Sequence, residues 1–164
     1  MVQVRWEGFG GDLERLQVQL EHLLHVAEGR AALLMDFAGR LLTLAGDSPR
    51  FDLTTFVSLV AADFCATREL AQMLGEDQFQ SVLHQGEEMS LYMVEVTPGT
   101  LLAYLYDRTT TLGLVRYSVQ RALPGLAESI TAGLGEARSA DLPFGDEFAD
   151  EALEEIERFF DGQR

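Results

Sequence analysis

The residues that could bind a metal ion or act as a nucleophile are few. Two histidines and two glutamates occur within two helical turns, a spacing that can hold a metal ion but more often forms a solvated helix face: Glu21, His22, His25 and Glu28. The single cysteine, Cys65, lies among apolar residues, which is typical of an inert buried thiol. We therefore predict no metal site and no cofactor.

Motifs of nucleotide and acid–base chemistry are incomplete. The chain has no lysine, so it cannot be a P-loop hydrolase, a PLP enzyme or a Schiff-base enzyme. Gly8-Phe9-Gly10-Gly11 begins like a dinucleotide-binding loop, but Leu13 stands where the third glycine is needed. The adjacent pairs Glu87-Glu88 and Glu154-Glu155 have no groups arranged around them for proton transfer. The sequence predicts a protein without an active site of its own.

Composition favours a folded, acidic protein that avoids polyanions. The 164 residues are 47% hydrophobic and carry a net charge of −15, which repels nucleic-acid backbones and anionic membranes. No apolar run approaches the ~18–20 residues that span a bilayer, and the first residues do not resemble a signal peptide. One cysteine excludes an intramolecular disulfide. These features predict a cytoplasmic protein that binds neither nucleic acid nor the membrane interior.

Hydrophobic periodicity and turn residues predict the element order αββαβββα, followed by a tail. The three helices are expected near residues 12–27, 52–74 and 111–132, with Asp12 as the first N-cap and Gly29 ending that helix in the left-handed conformation. Five strands are expected near 30–35, 41–45, 79–85, 89–96 and 100–106. Short turns between consecutive strands require antiparallel pairing.

Strand composition predicts the place of each strand in the sheet. Residues 31–35 and 101–106 are nearly continuous apolar runs, as strands buried on both faces are. Residues 79–85 mix polar with apolar side chains and suit an edge that could pair with another copy. After the third helix we expect a linker at 133–145 and a short amphipathic helix at 146–161. The last 24 residues hold nine acidic residues and two arginines, a net charge of −7.

The second helix is too apolar for a helix that lies on one sheet and faces solvent on its other side. At 100° per residue its bulky side chains cluster on one arc, which should pack on the sheet: Leu53, Phe56, Val57, Val60 and Phe64. The opposite arc is mostly small: Thr55, Ser58, Ala62, Cys65, Ala66 and Glu69. This arc suits a partner, with a second copy of the chain as the first candidate. The chain's own tail or another helix could cover it instead.

The element order, with Asp36-x-x-Gly39-x-Leu41 at the first hairpin, resembles the roadblock (dynein light chain) family over roughly residues 11–133. Length, acidity and the C-terminal extension look most like the bacterial members that partner a Ras-like polarity GTPase. The resemblance implies an α/β (α+β) fold: a single domain with a five-stranded antiparallel sheet, one helix on one face and two on the other, plus an acidic C-terminal extension at 134–164.

The resemblance also implies a function and a set of contact residues. Two copies would pair and bind one Ras-like small GTPase, stimulating its GTP hydrolysis by repositioning the GTPase's own catalytic residues without an arginine finger. The dimer and GTPase surface would comprise Thr55, Ser58, Ala62, Cys65, Ala66, Glu69 and Met73. The dimer edge strand would contribute Gln80, Val82 and His84. The tail would contact the GTPase through Phe148, Ile156, Phe159 and Phe160.

Two other functions are alternatives to the regulation of a GTPase. A roadblock dimer could be a scaffold that assembles a protein complex and alters no nucleotide turnover. A ligand-sensing domain would need convergent polar groups over a cavity, and the sequence offers no such set. The amphipathic acidic tail favours the GTPase regulator, since a scaffold would not need it. A role in cell polarity or gliding motility, with enrichment at a cell pole, is a further expectation from the resemblance.

Overall fold

The computed structural model describes the backbone of residues 10–47 and 50–140, and side chains from residue 13 to residue 133 within those ranges. The elements are α1 (Gly10–Ala27), β1 (Ala31–Asp36), β2 (Leu41–Gly46), α2 (Leu53–Met73), β3 (Val82–Gln85), β4 (Met89–Thr97), β5 (Thr100–Asp107) and α3 (Leu112–Ala140). Their order is the predicted αββαβββα. None of the described helices is both long enough and apolar enough to cross a bilayer.

The five strands form one antiparallel sheet in the order β2-β1-β5-β4-β3. The two apolar runs, β1 and β5, are neighbouring interior strands, with β5 at the centre, and they pair from Ala31–Leu105 to Asp36–Thr100. β3 is an edge strand, as its mixed composition predicted, but it begins at Val82 and is shorter than the predicted strand. The sheet therefore ends on one side in a short, partly polar strand.

Helices cover both faces of the sheet. The face under α1 and α3 holds the larger buried cluster, which includes Leu20, Tyr92, Tyr104 and Leu126. The other face is covered by α2 alone among the described residues, with Val57, Val60 and Phe64 buried against β1, β4 and β5. This arrangement, with one helix on one face and two on the other, matches the prediction.

The end of α1 differs from the prediction. Glu28, not Gly29, adopts the left-handed conformation, with φ of 51°. The Gly29 amide donates to the Leu24 carbonyl at 3.0 Å, closing a Schellman-type end. A Cβ at Gly29 would lie 2.1 Å from the Tyr104 hydroxyl. Glycine is therefore required here by the buried tyrosine and not by its own φ angle.

The start of α1 and the end of α3 also differ from the predicted positions. α1 begins at Gly10, so Asp12 lies inside the helix and is not its N-cap. α3 continues to Ala140, through most of the segment that we predicted to be a linker. A helical glycine costs only about 1 kcal/mol relative to alanine, so Gly133 and Gly135 do not stop a helix that is otherwise favourable. The predicted tail helix at 146–161 lies outside the described residues.

Candidate interaction surface

The side of α2 that points away from the sheet is apolar and exposed. We call it the outer face of α2; it consists of Leu59, Ala62, Ala66, Leu70 and Met73, at helical spacing of three and four residues. Leu59 is 64% exposed, Leu70 56% and Met73 83%. Such a stripe of large side chains in solvent is typical of a protein-binding surface.

The residues predicted for this surface lie on or beside it. Most of them are exposed: Thr55, Ser58, Ala62, Ala66, Glu69 and Met73. Cys65 is only half-buried, towards the sheet side. Sequence reasoning missed Leu59 and Leu70 because it considered the bulky side chains only as residues for the sheet. Their phase of 100° per residue would have placed them opposite Val57.

The start of α2 is fixed by its N-cap. The Asp52 carboxylate accepts hydrogen bonds from the Thr54 amide at 3.1 Å and the Thr55 hydroxyl at 2.5 Å. The Thr55 hydroxyl bond, followed by the amide bonds, lowers the pKa of Asp52 because these donors stabilise the charged form. The cap therefore sets the residue at which the helix begins, and with it the phase of the outer face.

The turn between β1 and β2 holds α2 at a fixed distance from the sheet. The Asp36 carboxylate accepts from the Ala38 and Arg40 amides at 3.0 and 2.9 Å. Gly39 has φ of +78°, and a Cβ there would lie 2.8 Å from the Ser58 Cα. Aspartate folds the turn and glycine lets the α2 backbone approach it. This contact is the physical basis of the Asp36-x-x-Gly39 motif.

Aromatic and charged contacts hold the middle of α2 against the end of the sheet at which the β1–β2 turn lies. The rings of Phe37 and Phe64 lie 5.7 Å apart. The Arg68 guanidinium stacks over the Phe37 ring at 5.1 Å and lies 4.0 Å from the Glu95 carboxylate. Arg68 is thus engaged in positioning the helix.

The edge strand β3 lies beside α2. His84 Nε2 lies 2.6 Å from the Asp63 carboxylate, so this contact marks the side of α2 that faces the open edge. His84 and Gln80 are exposed and Val82 is half-buried, although Gln80 precedes the strand. The outer face of α2 and the unpaired edge of the sheet are therefore adjacent.

The arginines nearest these elements have different surroundings. Arg108 contacts the Glu87 carbonyl and lies 3.4 Å from the Glu88 carboxylate, at the β3–β4 turn. Arg50 is exposed before the N-cap of α2 and has no ion pair with the described residues.

Within the described residues, no three His, Cys, Asp or Glu side chains converge as a metal site would need. The predicted tail contacts Phe148, Ile156, Phe159 and Phe160 lie outside the described residues.

The sequence and fold of this chain are similar to those of known proteins. A sequence model of the Roadblock/LC7 domain matches residues 15–105. The structure of Myxococcus xanthus MglB is similar at 30% identity and a TM-score of 0.69, over 72% of this chain and 96% of that chain. The gliding protein MglB from Thermus thermophilus is similar at 38% identity and a TM-score of 0.68, over 73% of this chain and 91% of that chain.

Another similar structure, described as MglB with a tetrameric arrangement, has 37% identity and a TM-score of 0.71 over 76% of this chain and 93% of that chain. A comparison with curated proteins finds no match. The family match covers more than half of the chain. The chain belongs to the Roadblock/LC7 family, a family of regulatory domains.

Proposed function

We propose that this chain is a homodimeric regulator that binds a Ras-like small GTPase of the MglA type and stimulates its GTP hydrolysis. The observation that carries the proposal is the exposed apolar outer face of α2 beside the open edge strand β3. The likeness to MglB structures at 30–38% identity supports the choice of partner. Two copies of the chain would bind one GTPase.

The side of α2 nearest β3 is the best candidate for self-association. Asp63 contacts His84 of β3 there, and Leu59, Ala66 and Leu70 lie next to Asp63 in helical phase. Two copies related by a two-fold axis would bury these side chains and pair their β3 edges, which removes both an apolar stripe and an unpaired strand from solvent.

The side of α2 that lies away from β3 is then available to the GTPase. Thr55, Ser58 and Ala62 lie on the side of α2 away from β3, and all are exposed. Their small size allows close approach of a partner's backbone. In a dimer this side of each helix would stay open, so two copies would present a composite surface to one GTPase.

The contacts of the arginines favour activation by repositioning the GTPase's own catalytic residues. Arg68 contacts Phe37 and Glu95, and the exposed Arg108 contacts the β3–β4 turn, so each would have to give up these contacts to extend into a partner's nucleotide site. Arg50 is the arginine near α2 that could still act in trans. Loss of an arginine finger typically lowers the rate by ~10³–10⁵.

The test is single-turnover GTP hydrolysis by a Ras-like GTPase from the same organism, with and without this chain. We expect stimulation by the wild-type chain and by Arg50→Ala, and loss of stimulation with Ala62→Arg. The matched control is Gln120→Arg, which adds the same side chain at an exposed position on α3. Binding without stimulation would favour the scaffold function. If Arg50→Ala abolished stimulation but preserved binding, the repositioning mechanism would be wrong.

A further inference from the structure

A groove separates α1 and α3 on the side of the molecule opposite to α2. Its cavity measures about 410 Å³. The residues that matter for its chemistry are Gln19, His22 and Val26 of α1 and Tyr117, Ser118 and Arg121 of α3. Tyr117 is 60% exposed and Val26 45% exposed, so the groove presents apolar and aromatic surface to solvent.

Among the described residues, none of those that line the groove is acidic, although the chain holds 27 acidic residues. The Arg121 guanidinium stacks over the Tyr117 ring at 5.7 Å and donates to the Tyr117 hydroxyl at 3.0 Å. Among the described residues it has no carboxylate partner. The nearest carboxylate further along α3, that of Glu128, is two helical turns beyond Arg121. A cation in such an acidic chain therefore lacks a counter-charge within the part of the chain that the structure describes.

Two polar atoms beside the groove also lack partners. The Ser118 hydroxyl belongs to a side chain that is 5% exposed, and neither it nor the Gln19 side-chain oxygen has a hydrogen-bond partner in the described part of the chain. The Gln19 nitrogen donates to the Gly125 carbonyl at 3.3 Å, which fixes the orientation of the amide. Buried polar atoms without partners are costly, and a ligand in the groove could relieve that cost after a small rotation of either side chain.

We propose that the C-terminal segment, residues 141–164, binds in this α1/α3 groove of its own chain. The segment has a net charge of −7, which complements Arg121. Its apolar residues would contact Tyr117 and Val26 while its carboxylates lie near Arg121: Phe148, Ile156, Phe159 and Phe160. This inference does not depend on the proposed GTPase function.

The length of the segment matches the position of the groove. Arg121 precedes Ala140, the last residue of α3, by 19 positions, which is about 28 Å of helix. Phe159 follows Ala140 by the same number of positions. A chain that turns after α3 and returns along the helix therefore reaches the groove even at the helical rise of about 1.5 Å per residue.

Charge distinguishes the groove from the outer face of α2 as a site for this segment. The outer face of α2 is flanked by Asp63 and Glu69 and is followed by Glu76, and these side chains repel an acidic segment. Arg68, the arginine within α2, is already engaged by Glu95 and Phe37. The described lining of the α1/α3 groove holds Arg121 and no acidic residue, so the groove is the favoured site.

Disulfide trapping in the full-length chain tests the proposal. In a Cys65→Ala background, Val26→Cys with Phe159→Cys should form a disulfide within one chain at least about tenfold faster than Ala62→Cys with Phe159→Cys, because docking raises the local concentration of the two thiols. Non-reducing gels and mass spectrometry would measure the rate and separate bonds within a chain from bonds between chains. Equal rates, a faster reaction at Ala62→Cys, or bonds between chains only would each overturn the proposal.

A charge reversal tests the role of Arg121. Arg121→Glu in the Val26→Cys, Phe159→Cys chain should slow disulfide formation by about fivefold at low salt, and the difference should shrink as salt is added. The matched control is Arg116→Glu, an exposed arginine of α3 outside the groove lining. Circular dichroism would establish that both variants are folded. If both reversals had the same effect, the groove would not be the electrostatic site for the segment.

Discussion

One face of the sheet carries two helices, the other carries one, and the two layers differ in what they expose. α1 and α3 pack against each other and against the sheet, and their buried cluster is the larger of the two. Within the described residues, α2 is the one helix on the other face, and it exposes Leu59, Leu70 and Met73 on its outer face. A pair of helices can cover one another, whereas a single helix has an outer side that must be polar or must bind a partner.

The largest effect in this comparison is expected from leucines in the two layers. Leu126→Ala, on the buried side of α3, should lower the free energy of unfolding by about 2–5 kcal/mol because it leaves a cavity in a closed core. Leu59→Ala, on the outer face of α2, should change the stability of the isolated chain by no more than about 0.5 kcal/mol. Urea unfolding at a concentration that favours the monomer measures both. Similar losses in the two variants would mean that the Leu59 side chain packs in the buried core.

A smaller loss is expected from adding a side chain at Gly29, which packs tightly against Tyr104. Gly29→Ala puts a methyl group where the phenol ring lies, so the free energy of unfolding should fall by about 1–3 kcal/mol. Gly113→Ala is the matched control, because a Cβ at this exposed position in α3 would lie 4.0 Å from its nearest neighbour, the Thr111 hydroxyl. We expect it to be neutral or slightly stabilising. Thermal unfolding followed by circular dichroism compares the two, and a tolerated Gly29→Ala would contradict the tight packing of this layer.

The smallest effect concerns acid stability at the end of β5. The Thr109 hydroxyl, then the Thr109 amide and Arg30, lower the pKa of Asp107 from 3.8 to about 2, because each stabilises the ionised carboxylate. A lowered pKa gives stability that is present above pH 3.8 and is lost as pH falls towards 2.

Asp107→Asn should therefore flatten the dependence of the urea midpoint on pH between about pH 5 and pH 2. Glu128→Gln, which removes an exposed carboxylate from α3, is the control and should retain the wild-type dependence. If the two variants behaved alike, the contacts of Asp107 with Thr109 and Arg30 would not contribute to acid stability.

Much of the fold could be predicted because local patterns and long-range packing agree in it. The apolar runs of β1 and β5 predicted two interior strands of the sheet, and the turns between strands predicted antiparallel pairing. The end of α1 could not be predicted, since it depends on Tyr104, which lies far along the chain. Glycine is common both at helix ends and where another side chain comes close, and one sequence does not separate these reasons.

The candidate surface was predicted only in part for a similar reason. Helical phase placed Ala62 and Ala66 on the outer face of α2, and both are exposed. Leu59 and Leu70 were missed because a leucine favours burial, and only the positions of the surrounding elements show that nothing in the described chain covers them. A residue's own chemistry indicates that it needs a partner but not which molecule supplies one.

The most direct test of the central claim, that the outer face of α2 is a protein-binding surface, is the mass of the chain in solution by sedimentation velocity. The wild-type chain and Gln120→Arg should sediment as dimers or larger assemblies. Ala66→Arg should sediment as a folded monomer, because an arginine at the centre of this face places a charge in the contact between copies. An Ala66→Arg chain with the same mass as the wild-type chain would contradict the account of self-association through α2.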